Sequence, residues 1–460
     1  MLLPPSFRSA ALLLLAFVVL PPRAVRAESP ASNERAAILA RIKAPEFAGR
    51  DFVIADFGAA PGGDCTGAIA RAIAACHAAG GGRVVVPEGV WLTGAVHLKS
   101  NVNLHLAEGA TLRFDPEPAK YLPLVLTRFE GIECMNYSPL IYAIEQENVA
   151  ITGQGTLDGS ANWETWWAWN NKATGEPTRQ VAARKRLDQQ GTDGMPVAER
   201  VYGEGHFLRP NFIQPYRCKN VLIEGVTIIN SPMWEIHPVL CTNVIVRGVK
   251  VRSLGTNNDG CDPESCRDVL IEDCVFETGD DCIAIKSGRN NDGRRVGVPA
   301  ENIVIRRCTM KDGHGGVTMG SEVSGGVRNV FVKDCKMDSP NLDRAFRFKS
   351  NAVRGGVIEN IFVRGVEIGR VARAVLSVEF DYEEGANGPH KPVLRNVLIE
   401  GVSTKSAGRV STITAFPGAV IEGVRLKDCL FRGVEAADVL KDAGTLTLEN
   451  ITIEPAKKTK

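Results

Sequence analysis

Apolar residues recur along this chain in paired short alternating runs. From residue 220 onward one pattern returns: Asn, apolar, any residue, apolar, a bend, then two further apolar positions. Copies start at Asn220, Asn243, Asp268, Asn302, Asn329, Asn360, Asn396, Gly423 and Asn450, with earlier copies at Asn101 and Asn148. From 220 onward, successive starts lie 23 to 36 residues apart. With each start counted as zero, offsets 1 and 3 are apolar in all of these copies, and offsets 6 and 8 in nearly all. Offset 5 is Gly, Asp or Arg in the copies from Asn220 to Gly423. Two period-2 strands joined by a bend fit this pattern. A repeat of this length with irregular loops predicts an all-β solenoid, a parallel β-helix whose coils stack by parallel ladders. The asparagines fall at one corner, where amides stacked coil on coil form ladders.

The remaining segments fit around that frame. Residues 66–79 are Ala-rich, with Ile69, Ile73 and Cys76 at helical spacing and Thr66 as candidate N-cap. A helix there caps the open end of the solenoid. Residues 158–217 lack the repeat and hold Trp163, Trp166, Trp167, Trp169, Tyr202, His206 and Arg209, and they are expected as long loops on one face. Cys274, Cys308, Cys335 and Cys429 sit at offset 6, where other copies carry Val. Cys218, Cys241 and Cys266 sit two residues before a start, where other copies carry Val327, Ile358 and Leu394. These seven are expected as free core thiols acting as small hydrophobes. The pattern leaves Cys65, Cys76, Cys134, Cys261 and Cys282 open.

The chain has 460 residues and a net charge of +1. That balance offers no global field for nucleic acid or a membrane surface, so an anionic partner has to be held by local cations. Arg8, an apolar run over 11–20 and Val25-Arg26-Ala27 read as a signal peptide over 1–27, cleaved after Ala27. The run is short for a membrane anchor. The expectation is a secreted or periplasmic monomer, free of the membrane once the signal is removed. Residues 28–460 then form a single catalytic β-helix rather than two or three smaller domains.

Four islands fall on four consecutive coils: Asn257-Asn258-Asp259-Gly260, Gly279-Asp280-Asp281, Gly313-His314-Gly315 and Arg347-Phe348-Lys349. Adjacent parallel strands lie ~4.8 Å apart, so groups on neighbouring coils approach within roughly 5–8 Å. A pair of carboxyls roughly 6.5–9.5 Å apart leaves room for the water of an inverting glycosidase. Crowding Asp259, Asp280 and Asp281 raises at least one pKa and keeps a proton available for a leaving oxygen. His314 can donate to a neighbouring carboxylate. Asp280 and Asp281 are adjacent, so they share a face only if the chain leaves its pleat at Gly279. Alternation puts Phe348 inward and Arg347 and Lys349 outward, with Lys286 outward near the acids. Two cations beside three acids suit an acidic sugar polymer, Arg by a forked pair and Lys as a point charge.

With these motifs the chain resembles glycoside hydrolase family 28, the polygalacturonases. The islands match that family's N-T-D, G-D-D, G-H-G and R-I-K motifs in order, with Asn258 for Thr and Phe348 for Ile. Asp56-Phe57-Gly58-Ala59 and the stretch 153–159 are also similar to the family. The resemblance implies a right-handed, single-stranded parallel β-helix, here of about ten coils. It implies hydrolysis of α-1,4-galacturonosyl bonds of homogalacturonan with inversion, needing neither cofactor nor metal. Carried over, Asp280 is the general acid, Asp259 and Asp281 position and activate water, and His314 supports the acid. Arg347, Lys349 and Tyr382 bind substrate, and Lys286, Asn257 and His237 join that candidate set. The long insertion, walling one end of a groove, predicts exo-action. The competing readings are a Ca²⁺-dependent pectate lyase on the same scaffold, a non-catalytic polysaccharide-binding β-helix and, within the family, a rhamnogalacturonan or xylogalacturonan hydrolase.

Overall fold

The structure is a computed structural model that describes residues 30–171 and 178–457. The expected signal peptide lies outside the described residues, within which no helix is long and apolar enough to cross a membrane. The repeat folds as expected, into a parallel β-helix with three ladders. The first ladder stacks thirteen strands, from Asp51–Val53 to Leu446–Pro455, against the ten or so coils expected. The coils at Asp51–Val53 and Gly82–Val86 carry no starting Asn, which hid them in the sequence.

From the Asn148 coil to the Gly423 coil, both corners flanking each first-ladder strand are left-handed. The starting residue has positive φ from Asn101 onward, for example 55° at Asn220 and 59° at Asn302. The offset-5 residue does too, with φ of 79° at Gly225, 58° at Asp273 and 53° at Arg307. Gly reaches this region at no steric cost and Asp more readily than most residues, which explains the offset-5 composition apart from Arg307. The amide ladder forms as expected: Asn148 donates to Asn101 (2.9 Å), Asn220 to Asn148 (2.8 Å) and Asn243 to Asn220 (2.8 Å). It resumes from Asn302 to Asn396.

Asp268 breaks the amide run, because a carboxylate cannot donate to Asn243. The N-terminal segment repairs the break. Helix α1 (Pro30–Arg41) ends with Arg41 donating to Asp268 (2.8 Å), while the Lys43 backbone both donates to the Asn243 amide (3.0 Å) and accepts from it (2.7 Å). The same helix covers an outward apolar stripe at offset 2. Ile38 and Ile42 pack on Leu222, Ile245, Leu270 and Val304. Neither this helix nor the stripe was anticipated, because offset 2 was read as unconstrained.

Helix α2 (Thr66–Ala78) joins the main core through Ile69, Ile73 and Cys76 at the N-terminal end of the solenoid. Its start differs from expectation: Cys65 is the N-cap residue, and the Asp64 carboxylate takes both the Thr66 N–H (2.9 Å) and its hydroxyl (2.6 Å). All twelve cysteines are free and buried, the five open ones included. The segment 158–217 is not loop throughout. It carries a 3₁₀ turn at Trp166–Asn170, helix α3 (Val181–Thr192) and the third-ladder strand Ile213–Tyr216. Together with an antiparallel hairpin, Val125–Phe129 and Ile132–Asn136, it builds over the third ladder.

Truncating a buried aliphatic on α1 tests its role. Ile38→Ala is expected to cost about 2–5 kcal/mol, seen as a lower urea midpoint, because Ile38 is 1% exposed and seals the stripe.

Candidate active site

Backbone hydrogen bonds bring the first three islands together on the bend leading into the third ladder. Gly260 N–H donates to Asp281 O (3.0 Å) and Cys282 N–H to Gly315 O (2.8 Å), so Asp259, Asp281 and Gly315 form one column. Asp280 N–H donates to Asn258 O (3.2 Å) and His314 N–H to Asp280 O (3.0 Å), so Asn258, Asp280 and His314 form the next. Gly279 allows this irregular bend, since a Cβ there would lie 2.1 Å from Gly255 O. Arg347 and Lys349 follow on the strand Arg344–Lys349, with Phe348 packed inward at 1% exposure.

One oxygen from each of Asp259, Asp280 and Asp281 lies within 4.8 Å of the others. That is tighter than the roughly 6.5–9.5 Å expected of an inverting pair. The reason is geometric: Asp259 and Asp281 stand one directly above the other at ladder spacing. His314 Nδ1 is 2.9 Å from Asp280 Oδ1. Lys349 Nζ donates to Asp281 Oδ2 (2.7 Å), and Arg347 Nη1 lies 3.6 Å from Asp281 Oδ1. Arg347 also donates to Glu379 (2.6 Å), so both cations are partly engaged before any ligand arrives.

The three acids differ electrostatically. Burial, then Asp262 and Asp280, push the Asp259 carboxyl well above the usual range. Burial also opposes charge on Asp281, but Lys349 and Arg347 overcome it and hold that carboxylate ionised. At Asp280 burial is the largest influence and opposes charge, but the His314 hydrogen bond together with the charges of His314 and Lys349 overcomes it, and the net shift is downward. His314 moves up, chiefly through the same bond. One pKa is raised, as expected, but by burial first and crowding second, and the raised group is Asp259 rather than Asp280. In the substrate-free site Asp259 therefore holds a proton more readily than Asp280 or Asp281, and His314 more readily than a free imidazole, so the site can both give and take one.

A cleft of about 610 Å³ opens over these groups. Asp259, Asp280, His314, Arg347, Lys349 and Tyr382 line it, as do Lys286 and Asn257. The Tyr382 ring lies 5.5 Å from Lys349 Nζ. The Asn257 side-chain oxygen accepts from Arg209 (2.7 Å) and Asn170 (2.9 Å), both from the insertion. One wall of the cleft is clasped by ion pairs between distant segments. Arg184 of α3 binds Glu130 at the hairpin turn (2.5 Å) and Glu383 (3.3 Å). Arg289 binds Glu130 (3.3 Å), and Arg354 binds Glu383 (2.6 Å).

His237 is a correction. It stands on the same outward row as Asp262 and Arg347, but it is fully buried and does not reach the cleft. The Trp234 ring lies edge-on at 4.8 Å, and Asn211 and Gln214 donate to its Nδ1 (2.9 Å each). Nε2 donates to Glu264 (2.7 Å), which also pairs with buried Arg128 of the hairpin (2.9 Å). Residues absent from the expected set also shape the site, namely Asp262, Glu322 and Glu379. Asp262 had a signal, standing three positions after Asp259.

A carboxyl paired with imidazole, a buried carboxyl of raised proton affinity, an ionised carboxylate and two flanking cations on the side of a parallel β-helix are the equipment of an acid–base glycoside hydrolase. The comparisons agree. The family model for glycosyl hydrolases family 28 matches residues 198–436, and the chain belongs to that family. The chain is similar to a crystal structure of a hyperthermoactive exopolygalacturonase from Thermotoga maritima, at 45% identity and a TM-score of 0.88, covering 93% of this chain and 96% of that one. A probable polygalacturonase of Vitis vinifera is 28% identical over 83% of this chain and 68% of its own length. An exo-poly-alpha-D-galacturonosidase of Dickeya chrysanthemi is 26% identical over 69% of this chain and 55% of its own length.

Gly315 tests the column geometry. A Cβ there would meet Thr318 Oγ1 at 2.3 Å and Asp281 Oδ1 at 2.7 Å. Gly315→Ala is expected to displace the Asp281 carboxylate and lower kcat by about 10²-fold while the fold survives, measured by turnover alongside circular dichroism.

Proposed function

We propose that this chain is an exo-acting polygalacturonase, hydrolysing α-1,4-galacturonosyl bonds at the ends of galacturonan chains as an exported monomer. The observation that carries the reading is the carboxylate trio set between His314 and the Lys349–Arg347 pair. Asp280, supplied with a proton through His314 Nδ1, protonates the glycosidic oxygen. Asp281, held ionised by Lys349, orients the attacking water, and ionised Asp259 accepts its proton. Arg347 and Lys349 turn toward a sugar carboxylate while Glu379 and Asp281 keep them aligned. The spacing of the trio alone resembles a retaining pair. Inversion is favoured because three carboxylates, not two, share the work, and Asp281 is locked to a lysine rather than free to act as a nucleophile. Lys349 beside Asp281, and Lys286 near Asp259, already supply positive charge to the trio, which favours hydrolysis over the Ca²⁺-dependent lyase.

Asp280→Asn is expected to lower kcat by about 10²–10⁴-fold with the fold intact. The kcat profile should be bell-shaped. The raised pKa of His314 keeps its proton to higher pH than a free imidazole, and activity is lost as pH rises through that value. His314→Gln should remove this alkaline limb. The product anomer, read by NMR in the first turnovers, should be inverted. Unsaturated products absorbing in the ultraviolet, or loss of activity with chelator, would instead support the lyase.

The clasped wall supports end-cleavage. Arg184, Glu130 and Glu383 join the insertion, the hairpin and the loop after the strand Glu367–Glu379 along the cleft wall. Early digestion of a long galacturonan should release one small product. A ladder of mixed oligomers from the unaltered protein would refute exo-action, and Arg184→Ala with Glu383→Ala should make mixed products appear.

A further inference from the structure

Lys286 extends from the end of the strand Ile283–Ile285 and is 2% exposed. Its Nζ lies 3.1 Å from Glu322 Oε2, 3.6 Å from Asp262 Oδ2 and 3.7 Å from Asp259 Oδ2. It donates to Gly320 O (3.3 Å), and the Trp234 ring centre lies 4.4 Å away. Three acids, a carbonyl and an aromatic face thus surround an ammonium with almost no open surface. Such a group is engaged by the protein and does not wait for a substrate carboxylate. On Asp259 the two oxygens differ. Oδ2 faces Lys286, while Oδ1 has no hydrogen-bond partner among the described residues.

We propose that Lys286 is a positioning residue for Asp259, anchoring Oδ2 so that Oδ1 meets the water, and that Glu322 and Asp262 compete with Asp259 for the same ammonium. This rests on the reading of Asp259 as the group that takes the proton from water. The charged groups acting on Asp259 include Asp262, Asp280, Asp281 and Lys286. Arg209 also interacts with it, and buried Glu235, whose N–H donates to Asp259 O (2.9 Å), interacts with Asp262. Among these, Lys286 favours the ionised form, and the neighbouring acids oppose it. Losing Lys286 therefore makes Asp259 harder to ionise. Losing the charge of Glu322 leaves Lys286 freer to serve Asp259.

The test is steady-state kinetics on polygalacturonate across pH for the unaltered protein, Lys286→Met, Lys286→Arg and Glu322→Gln, with melting curves for each. Lys286→Met is expected to lower kcat at least about tenfold on the acid side, to leave KM within about twofold, and to move the acid limb up by about one pH unit. Lys286→Arg should restore the limb, and Glu322→Gln should move it the opposite way. A large rise in KM with the limb unmoved would make Lys286 a substrate contact and overturn the proposal. An equal loss at every pH with a lowered melting temperature would make it merely structural and also overturn it. If Lys286→Met does not fold, Glu322→Gln decides: a limb that stays put overturns the proposal. Absence of activity in the unaltered protein overturns the underlying reading instead, and the proposal with it.

Discussion

Coil-on-coil backbone hydrogen bonding is the constraint on which the site depends. Asp280 and His314 are 34 residues apart in sequence, yet the parallel ladder sets them one rung apart, with a 2.9 Å side-chain contact. No local element could do this, because strands along one chain stretch carry side chains away from each other at more than 3 Å per residue. The left-handed corners matter for the same reason. They turn the chain at a fixed offset in each coil from Asn148 to Gly423, which keeps the bends stacked and the columns in register. A one-residue slip in a single coil would send its acid to the wrong face.

Stacking alone would create an electrostatic fault, with three carboxylates within 4.8 Å in a buried setting. The protein resolves it by giving each acid a different partner. Asp281 has Lys349, Asp280 has His314, and Asp259 faces Lys286, which it shares with other acids. Three chemically identical groups thereby acquire three different proton affinities. That division lets one site hold a proton and accept one, as acid–base cleavage requires.

The segments outside the repeat shape the cleft above this machinery. The hairpin at 125–136 and the insertion bury part of the third ladder, including His237, and Arg209 reaches from the insertion to fix Asn257. The clasp through Arg184 ties the same insertion to a loop 199 residues away. The repeat therefore supplies the catalytic columns, while the irregular segments decide which part of a polymer reaches them.

The sequence by itself determined the scaffold and the islands. Period-2 runs returning every few dozen residues admit few folds other than stacked strands, and the Asn corner and valine-equivalent cysteines were legible because a repeat compares each position with its copies. The islands were legible because their residue types and order are distinctive. The coils before Asn101 were not, lacking the marker Asn. The tertiary structure alone decided which acid holds a proton most readily, since pKa follows burial and through-space charge rather than residue type. It alone decided that His237 is covered, that α1 closes the ladder at Asp268, and that Lys286 faces acids. Each of these depends on groups brought together from stretches with no common period, and pattern along a chain carries no record of such contacts.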